Sequence, residues 1–129
     1  MAGTLTLSTL SDGTNSTSST NCIQGSAKAW VKFDGTTTPP TIRGSYNFSS
    51  VTRSSTGIFT LNFTNAMVDT NYAVVIGVAK DNTTNDGNFF ATVGCSTVTP
   101  TTTTVPLTTT QGYGGSLSNS ATNCVTIFR

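Results

Sequence analysis

The sequence predicts an all-β protein: an antiparallel β-sandwich, jelly-roll-like in the spacing of its turns, with an extended N-terminal segment. Thr, Ser and Asn supply 55 of the 129 residues, and Ser and Asn are poor in helix interiors because they compete for backbone hydrogen bonds. Several stretches alternate apolar and polar residues, as half-buried strands do, and no equally long stretch repeats apolar residues at helical spacing. We therefore expect one domain with essentially no helix beyond a turn.

The clearest alternation follows Gly25 and predicts a strand that buries only one face. Its inner face is predicted to carry Ala27, Ala29, Val31 and Phe33, and its outer face Lys28, Trp30 and Lys32. Residues 59–63 and 72–78 alternate in the same way, and the second of these runs is the longer one. We therefore expect it to be the more central strand. The predicted inner residues of these two strands are Phe59, Leu61, Phe63, Tyr72, Val74, Ile76 and Val78.

The rest of the domain, residues 22–129, contains weaker strand signals separated by turns. Strands are predicted over residues 42–48, 89–98 and 123–129. Residues 98–110 are a threonine tract broken by two prolines, which is typical of an edge strand or an extended wrapping segment. One β-domain therefore accounts for residues 22–129.

Residues 1–21 are predicted to be a separate N-terminal attachment segment and linker. Leu5, Leu7 and Leu10 alternate with Thr and Ser, which predicts a strand too sparse in apolar residues to stand alone. Residues 11–20 are polar, contain an Asp-Gly turn signal and are predicted to be a linker. We expect the leucines to become ordered against another copy of the chain or a larger assembly. Neither an export signal nor a membrane-spanning segment is predicted.

Two aromatic residues have both a structural and a functional interpretation. Tyr72 follows a turn and is in phase with the core residues of its strand, so we interpret it as a residue that ties down a corner through its hydroxyl group. Stacking of Tyr72 on a ligand is the alternative. Trp30 lies between two lysines, and it either packs beneath a loop or another subunit, or belongs to a binding surface.

The three cysteines, Cys22, Cys95 and Cys124, lack the close paired spacing of a zinc site. In a protein made in a reducing cytoplasm, isolated cysteines are most often small buried residues, and a disulfide is the less common alternative. Residues 20–23 and 122–125 share a Thr-Asn-Cys phrase and are predicted to be two similar strand edges. The sequence leaves the disulfide state open.

The composition gives no support for catalysis, a cofactor or a metal. The chain has no His and no Glu, so the usual general base is missing and only five scattered Asp remain for a carboxylate pair. Residues 81–88 have the oxygen density of a calcium loop, but Val93 stands where a closing Glu is required, so a hairpin loop is predicted instead. A net charge of +1 without a basic cluster gives no reason to expect nucleic acid or an anionic membrane as partner. We expect a protein that is not an enzyme.

Four segments carry a resemblance to a known family. They read AKAWVKFDG at 27–35, IRGSYNFSSVT at 42–52, FTLNFTNAM at 59–67 and DTNYAV at 69–74. Together they resemble a β-rich module of bacteriophage tail-fibre-like and other virion surface proteins. The resemblance implies a homotrimer that an N-terminal segment holds on a particle, on the virion surface after assembly in the host cytoplasm. It supplies no catalytic residues.

Two classes of function follow from these observations. As a structural protein, the chain would be a small surface knob, a short fibre or a capsid-decorating (cement) protein in contact with other capsid or tail proteins. As a binding module, it would be a tail-fibre tip whose loops bind a glycan of the host surface. The lead-in is short for a fibre shaft, which favours the structural class. The predicted particle or subunit interface comprises Leu5, Leu7, Leu10 and Trp30, and the candidate ligand-facing loop residues are Asn82, Asn85, Asp86 and Tyr113.

Overall fold

The computed structural model describes residues 3–79, 89–94, 98–112 and 115–129. This part of the chain contains one helix, α1, and eleven strands, β1 to β11, numbered in chain order. Their bounds are β1 Thr9–Ser11, β2 Ser16–Ser18, α1 Ser19–Gly25, β3 Ala27–Asp34, β4 Thr41–Tyr46, β5 Phe48–Ser55, β6 Ile58–Phe63, β7 Ala73–Ala79, β8 Phe89–Val93, β9 Thr104–Gln111, β10 Ser116–Leu117 and β11 Thr122–Phe128.

Two antiparallel sheets form the body of the domain. In the four-stranded sheet the order is β4, β3, β11, β7. In the other sheet β9 lies between β6 and β8, β5 pairs with the far side of β6, and β10 pairs with the end of β9. Strands β1 and β2 form a separate hairpin. These pairings confirm the all-β prediction, whereas the jelly-roll order is not confirmed.

The inner faces of the two sheets enclose one apolar core, because each strand places alternate side chains there. Phe33 of the four-stranded sheet meets Phe59 of the other sheet edge to face, with ring centroids 5.3 Å apart. The predicted inward face of β6 is thereby confirmed, and that of β3 is confirmed at Ala29, Val31 and Phe33. Ala27, also predicted to face inward, is only half-buried and lies outside the core, because the register of β3 and β11 shifts at this end. The buried apolar residues are Ala29, Val31, Phe33, Phe48, Val51, Phe59, Leu61, Phe63, Met67, Val105, Leu107, Val125 and Ile127.

The placement of β6 and β7 is the reverse of the prediction. β7 lies at the end of its sheet, and its inward residues Val74, Ile76 and Val78 are only half-buried. β6 is flanked by β5 and β9, and both Phe59 and Leu61 are fully buried. The reason is long-range pairing: the C-terminal strand β11 lies between β3 and β7 and takes the central place in that sheet.

Tyr72 has the structural role predicted for it. Its hydroxyl donates to the carbonyl oxygen of Thr101 at 2.8 Å, so it fastens the loop before β9 to the start of β7. Its ring packs edge to face on Phe63, with centroids 5.9 Å apart. Burial raises the pKa of the phenol, because the charged form would lose contact with water.

Close approach of the backbone requires glycine at two turns. A Cβ on Gly35 would lie 2.7 Å from a ring carbon of Phe59 and 2.9 Å from the carbonyl oxygen of Ser120. Gly57 has a φ of +70°, and a Cβ there would lie 2.4 Å from the carbonyl oxygen of Thr109. Substitution of Gly35 would therefore displace a packed core ring and backbone, and substitution of Gly57 would displace backbone.

The N-terminal part is more structured than predicted. Residues 11–20 do not form an irregular linker, since β1 and β2 pair as a hairpin whose loop is closed by the N–H of Asn15 donating to the Asp12 carboxylate at 2.7 Å. Helix α1 follows at once, because the Ser18 hydroxyl accepts from the N–H of Asn21 at 3.1 Å and caps the first turn. The prediction of essentially no helix beyond a turn is wrong at this position.

The cysteines differ from the prediction in two respects. Cys22 lies in α1 rather than at a strand edge. The disulfide state, which the sequence left open, is that Cys22 and Cys124 are both free thiols. Cys124 is exposed rather than buried, because it alternates with buried Asn123 and Val125 along β11 and therefore points out of the sheet. Cys95 lies outside the described residues.

Candidate functional site

Helix α1 continues across the predicted boundary at Cys22 and the sandwich begins at β3, so the N-terminal segment is taken from here on as residues 3–26. It exposes apolar side chains and buries none of its residues. Leu5, Leu7 and Leu10 are 80%, 45% and 53% exposed. Ile23, on helix α1, is 64% exposed. The segment thus contributes little to the core of the domain, and its apolar side chains are available to a partner.

These four apolar residues line one open cleft, which we call the N-terminal cleft. The cleft forms because the N–H of Ser19 donates to the carbonyl oxygen of Ser8 at 3.0 Å and brings the start of α1 next to β1. Asp12 is the one charged residue among residues 3–26, and bonds from the backbone N–H groups of Asn15 and Thr14 lower its pKa. Asp12 lies in the hairpin loop, so the N-terminal cleft itself is uncharged.

Lys28 links the N-terminal segment to the sandwich. Its ammonium group, on β3, donates to the carbonyl oxygen of Ile23 and to the hydroxyl of Ser26, the latter at 2.9 Å. A cation near the C-terminal carbonyls of a helix is favourable, because those carbonyls carry partial negative charge. The helix is therefore held at the edge of the sandwich while Ile23 stays exposed.

A second exposed surface lies on the outer side of the four-stranded sheet. Cross-strand pairing places Tyr46, Trp30, Thr126 and Val75 side by side across β4, β3, β11 and β7. Tyr46, Trp30 and Val75 are 59%, 42% and 56% exposed. The row crosses three strand spacings, about 14 Å. Together with Lys32 in the adjacent row, these residues form what we call the aromatic face.

Gly44 allows the Trp30 indole to lie close against the sheet. A Cβ on Gly44 would lie 3.3 Å from the indole Cζ3 atom and 3.4 Å from Cη2, closer than most van der Waals contacts. In the same row as Gly44, pairing places Lys32, Cys124 and Gly77. The indole covers the Gly44 end of this row, whereas the Gly77 end stays low, and Lys32 is exposed on the same side of the sheet as the indole.

The acidic groups at the ends of this sheet are already paired with arginines. Asp34 accepts from the Arg43 guanidinium at 2.7 Å, and its pKa is lowered first by the hydroxyl of Thr36, at 2.6 Å, and then by Arg43. Asp69 pairs with Arg129, which holds the pKa of that carboxyl below its usual value. Within the described residues, no carboxylate therefore pairs with the lysines of the four-stranded sheet.

The sequence-predicted interface residues fall on two separate surfaces. Leu5, Leu7 and Leu10 share the N-terminal cleft, whereas Trp30 lies on the aromatic face. Trp30 is 42% exposed, so no loop in the described part of the chain buries it. The predicted loop residues lie outside the described residues: Asn82, Asn85, Asp86 and Tyr113.

Sequence reasoning missed Tyr46 and Ile23. Plain alternation from Ile42 would place Tyr46 on the inner face of β4. Instead, Phe33 pairs with Ile42 while Lys32 pairs with Gly44, and the extra residue between them is a bulge that turns Tyr46 outward. No sequence signal marks this bulge. The sequence did contain a signal for the helix that carries Ile23, because Ser18 is a favoured helix N-cap residue.

The two exposed surfaces offer apolar contact, aromatic stacking and positive charge, which are means of binding. Among the residues that the structure describes, no group of three His, Cys, Asp or Glu is placed to hold a metal ion. In the same part of the chain, no helix has the length and apolar character needed to span a bilayer.

Comparison of the chain with protein-family models, curated proteins and solved structures finds no match. The two exposed surfaces therefore provide the structural basis for a functional proposal.

Proposed function

We propose that this chain is a non-enzymatic structural protein of a bacteriophage virion: a small surface knob, short fibre or capsid-decorating protein that attaches through its N-terminal segment. The observation that carries the proposal is the N-terminal cleft, where Leu5, Leu7 and Leu10 are exposed on a segment that buries none of its residues. The resemblance of the sandwich segments to a virion surface module supports a phage particle as the site of attachment.

The exposed leucines would contribute favourable free energy to association. Full burial of one leucine side chain stabilises a complex by about 1.5 to 3 kcal/mol, so three of them supply several kcal/mol toward the cost of immobilising the segment. In the isolated domain, exposure of these leucine side chains to water does not stabilise the fold. Attachment gives them a partner without disturbing the core, because none of the residues 3–26 belongs to it.

The same segment favours self-association of the chain as a homotrimer. With Asp12 as its one charged residue, identical copies of the segment can approach each other without strong like-charge repulsion. The resemblance supports three-fold symmetry. If β1 pairs with a neighbouring copy, a closed ring of three copies uses up every such edge. An open arrangement would leave a free β1 edge to which further copies could add.

The test is attachment to phage particles that lack this protein. A variant with Leu5→Ser, Leu7→Ser and Leu10→Ser should bind such particles at least about a hundredfold more weakly than the wild type. Light scattering should report a trimer for the wild type and a smaller mass for the variant. The circular dichroism spectrum should stay unchanged, because the substituted side chains are exposed and lie outside the core.

A matched control replaces exposed apolar residues of the sandwich by serine. Leu117 and Val68 are 45% and 89% exposed, and the variant with Leu117→Ser and Val68→Ser should attach like the wild type. Equal attachment by the N-terminal variant and the wild type would contradict the proposal, as would a wild-type protein that is monomeric at every concentration.

A further inference from the structure

The aromatic face is distinct from the N-terminal cleft and exposes the chain's one tryptophan. Its row of Tyr46, Trp30 and Val75 is held by backbone pairing across four strands, so the side chains keep fixed spacings without help from a loop. Rigid aromatic side chains on a fixed support lose little entropy when they contact a ligand. The geometry therefore suits binding rather than core packing.

The charge of the aromatic face selects an acidic partner. Lys32 is exposed and has no partner among the described residues. The outward residues on the neighbouring strands are Thr41, Arg43, Gly44, Tyr46, Thr122, Cys124, Thr126, Phe128, Ala73, Val75, Gly77 and Ala79, and none is acidic. Asp34, at the end of β3, is neutralised by Arg43. A ligand with carboxylate or sulfate groups would therefore meet unopposed positive charge.

The shape of the face suits a chain of sugar rings. The row is about 14 Å long, with the indole lying over Gly44 at one end of the adjacent row and the sheet left low at Gly77 at its other end. The flat, C–H-rich side of a pyranose can stack on the indole of Trp30, while the hydroxyls of Tyr46 and Thr126 exchange hydrogen bonds with sugar hydroxyls. Lys32 lies one row from the indole, within reach of an acidic substituent on the stacked ring.

We propose that the aromatic face binds an acidic polysaccharide, with Trp30 stacking on a sugar ring and Lys32 pairing with its carboxylate or sulfate group. This function is separate from the attachment role of the N-terminal segment, because the two surfaces share no residue. It also uses a site other than the loops around Asn82 and Tyr113.

Two other occupants fit the face less well. A second copy of the same face, related by a two-fold axis, would bring two Lys32 side chains into one interface without a facing carboxylate, which costs free energy. Single-stranded nucleic acid would also stack on aromatics, but its binding requires neutralisation of many phosphates, and this chain has a net charge of +1. A sugar chain also presents many hydroxyl groups to Tyr46 and Thr126, so hydrogen bonds and stacking hold it in addition to the one cation, Lys32.

The test is calorimetric titration of the full-length protein with polygalacturonate, chondroitin sulfate and neutral dextran. At least one acidic polymer should bind, and dextran should bind at least about tenfold more weakly. Added salt should weaken binding of the acidic polymer, because the contribution of Lys32 is electrostatic. Since Trp30 is the one tryptophan in the chain, its fluorescence emission should shift on binding and so locate the ligand at this face.

Three variants separate the contributions. Trp30→Ala should lower affinity by about tenfold or more, as loss of a central aromatic contact does. Lys32→Met keeps the apolar stem, and it should lower affinity for the acidic polymer by roughly fivefold and leave dextran binding unchanged. Phe90→Ala is the matched control, since Phe90 is 48% exposed on β8 of the other sheet, and it should bind like the wild type.

Four outcomes would overturn the proposal. These are failure of both acidic polymers to bind, binding without a change in tryptophan emission, unchanged affinity in a folded Trp30→Ala variant, and tighter binding of a single-stranded oligothymidylate than of either acidic polymer. A Trp30→Ala variant that loses its oligomeric state while no polymer binds the wild type would instead assign the face to subunit contact. Loss of particle attachment by the N-terminal variant, with polymer binding intact, would show that the two surfaces act independently.

Discussion

Truncation of Phe59 to alanine should destabilise the domain by about 4 to 5 kcal/mol, in the upper part of the range for Phe→Ala in protein cores. Phe59 is fully buried and meets Phe33 edge to face at 5.3 Å. The turn above its ring cannot fall into the cavity, because Arg53 donates to the Gly35 carbonyl at 3.0 Å and the Gly35 N–H donates to Ser120 at 2.9 Å. The void therefore stays largely unfilled.

Urea unfolding measures this loss. For a chain of this size we expect the midpoint of Phe59→Ala to fall by about 2 to 3 M. The neighbouring outward variant, Thr60→Ala, should lose less than about 1 kcal/mol. If Phe59→Ala is too unstable to measure, Phe59→Leu should still lose about 1 kcal/mol or more. Equal losses for Phe59→Leu and Thr60→Ala would refute the assigned inward face of β6.

Three further predictions concern the corner, a turn and pH. Tyr72→Phe should cost about 1 kcal/mol by removing the hydroxyl bond to the loop before β9, whereas Tyr46→Phe on the aromatic face should cost almost nothing in chemical denaturation. Gly57→Ala should cost roughly 2 kcal/mol or more, because a Cβ would meet the backbone at a positive φ; an unchanged midpoint would contradict this. The pKa values of Asp34 and Asp69 are lower in the folded state than in the unfolded state, so their contribution is complete above the unfolded pKa and lost as pH falls below about 4. With no His in the chain, the melting temperature should be flat from about pH 5 to 8, and a fall within that interval would contradict the assignment.

Local alternation was sufficient to predict the fold class and the part of the core that β3 and β6 contribute. Val31 and Phe33 on β3, and Phe59 and Leu61 on β6, occupy the inward positions that a period of two predicts. The relative positions of the strands could not be predicted in this way. The central place of β11 depends on pairing with β3 across most of the chain, which no local pattern contains.

The two exposed surfaces were predicted only in part, for physical reasons that differ. The leucines of the N-terminal cleft can be recognised in the sequence as apolar residues without a partner. Ile23 could not, because it joins the cleft through helix α1, which begins at a single local hydrogen bond from the Asn21 N–H to the Ser18 hydroxyl. The outward position of Trp30 follows from the alternation of β3 in the sequence, whereas Tyr46 faces outward beside it only because of the bulge in β4. A one-residue shift changes the face of every residue that follows, and sequence alternation does not reveal it.

The most direct test of the attachment proposal is an image of the assembled phage particle, reconstructed with and without the gene for this protein. We predict three-fold density on the particle surface that disappears with the gene, with residues 3–26 directed into the particle and the sandwich projecting outward. Purified particles that contain no copy of this protein would contradict the account, as would density in which the sandwich forms the contact and the N-terminal segment points into solvent.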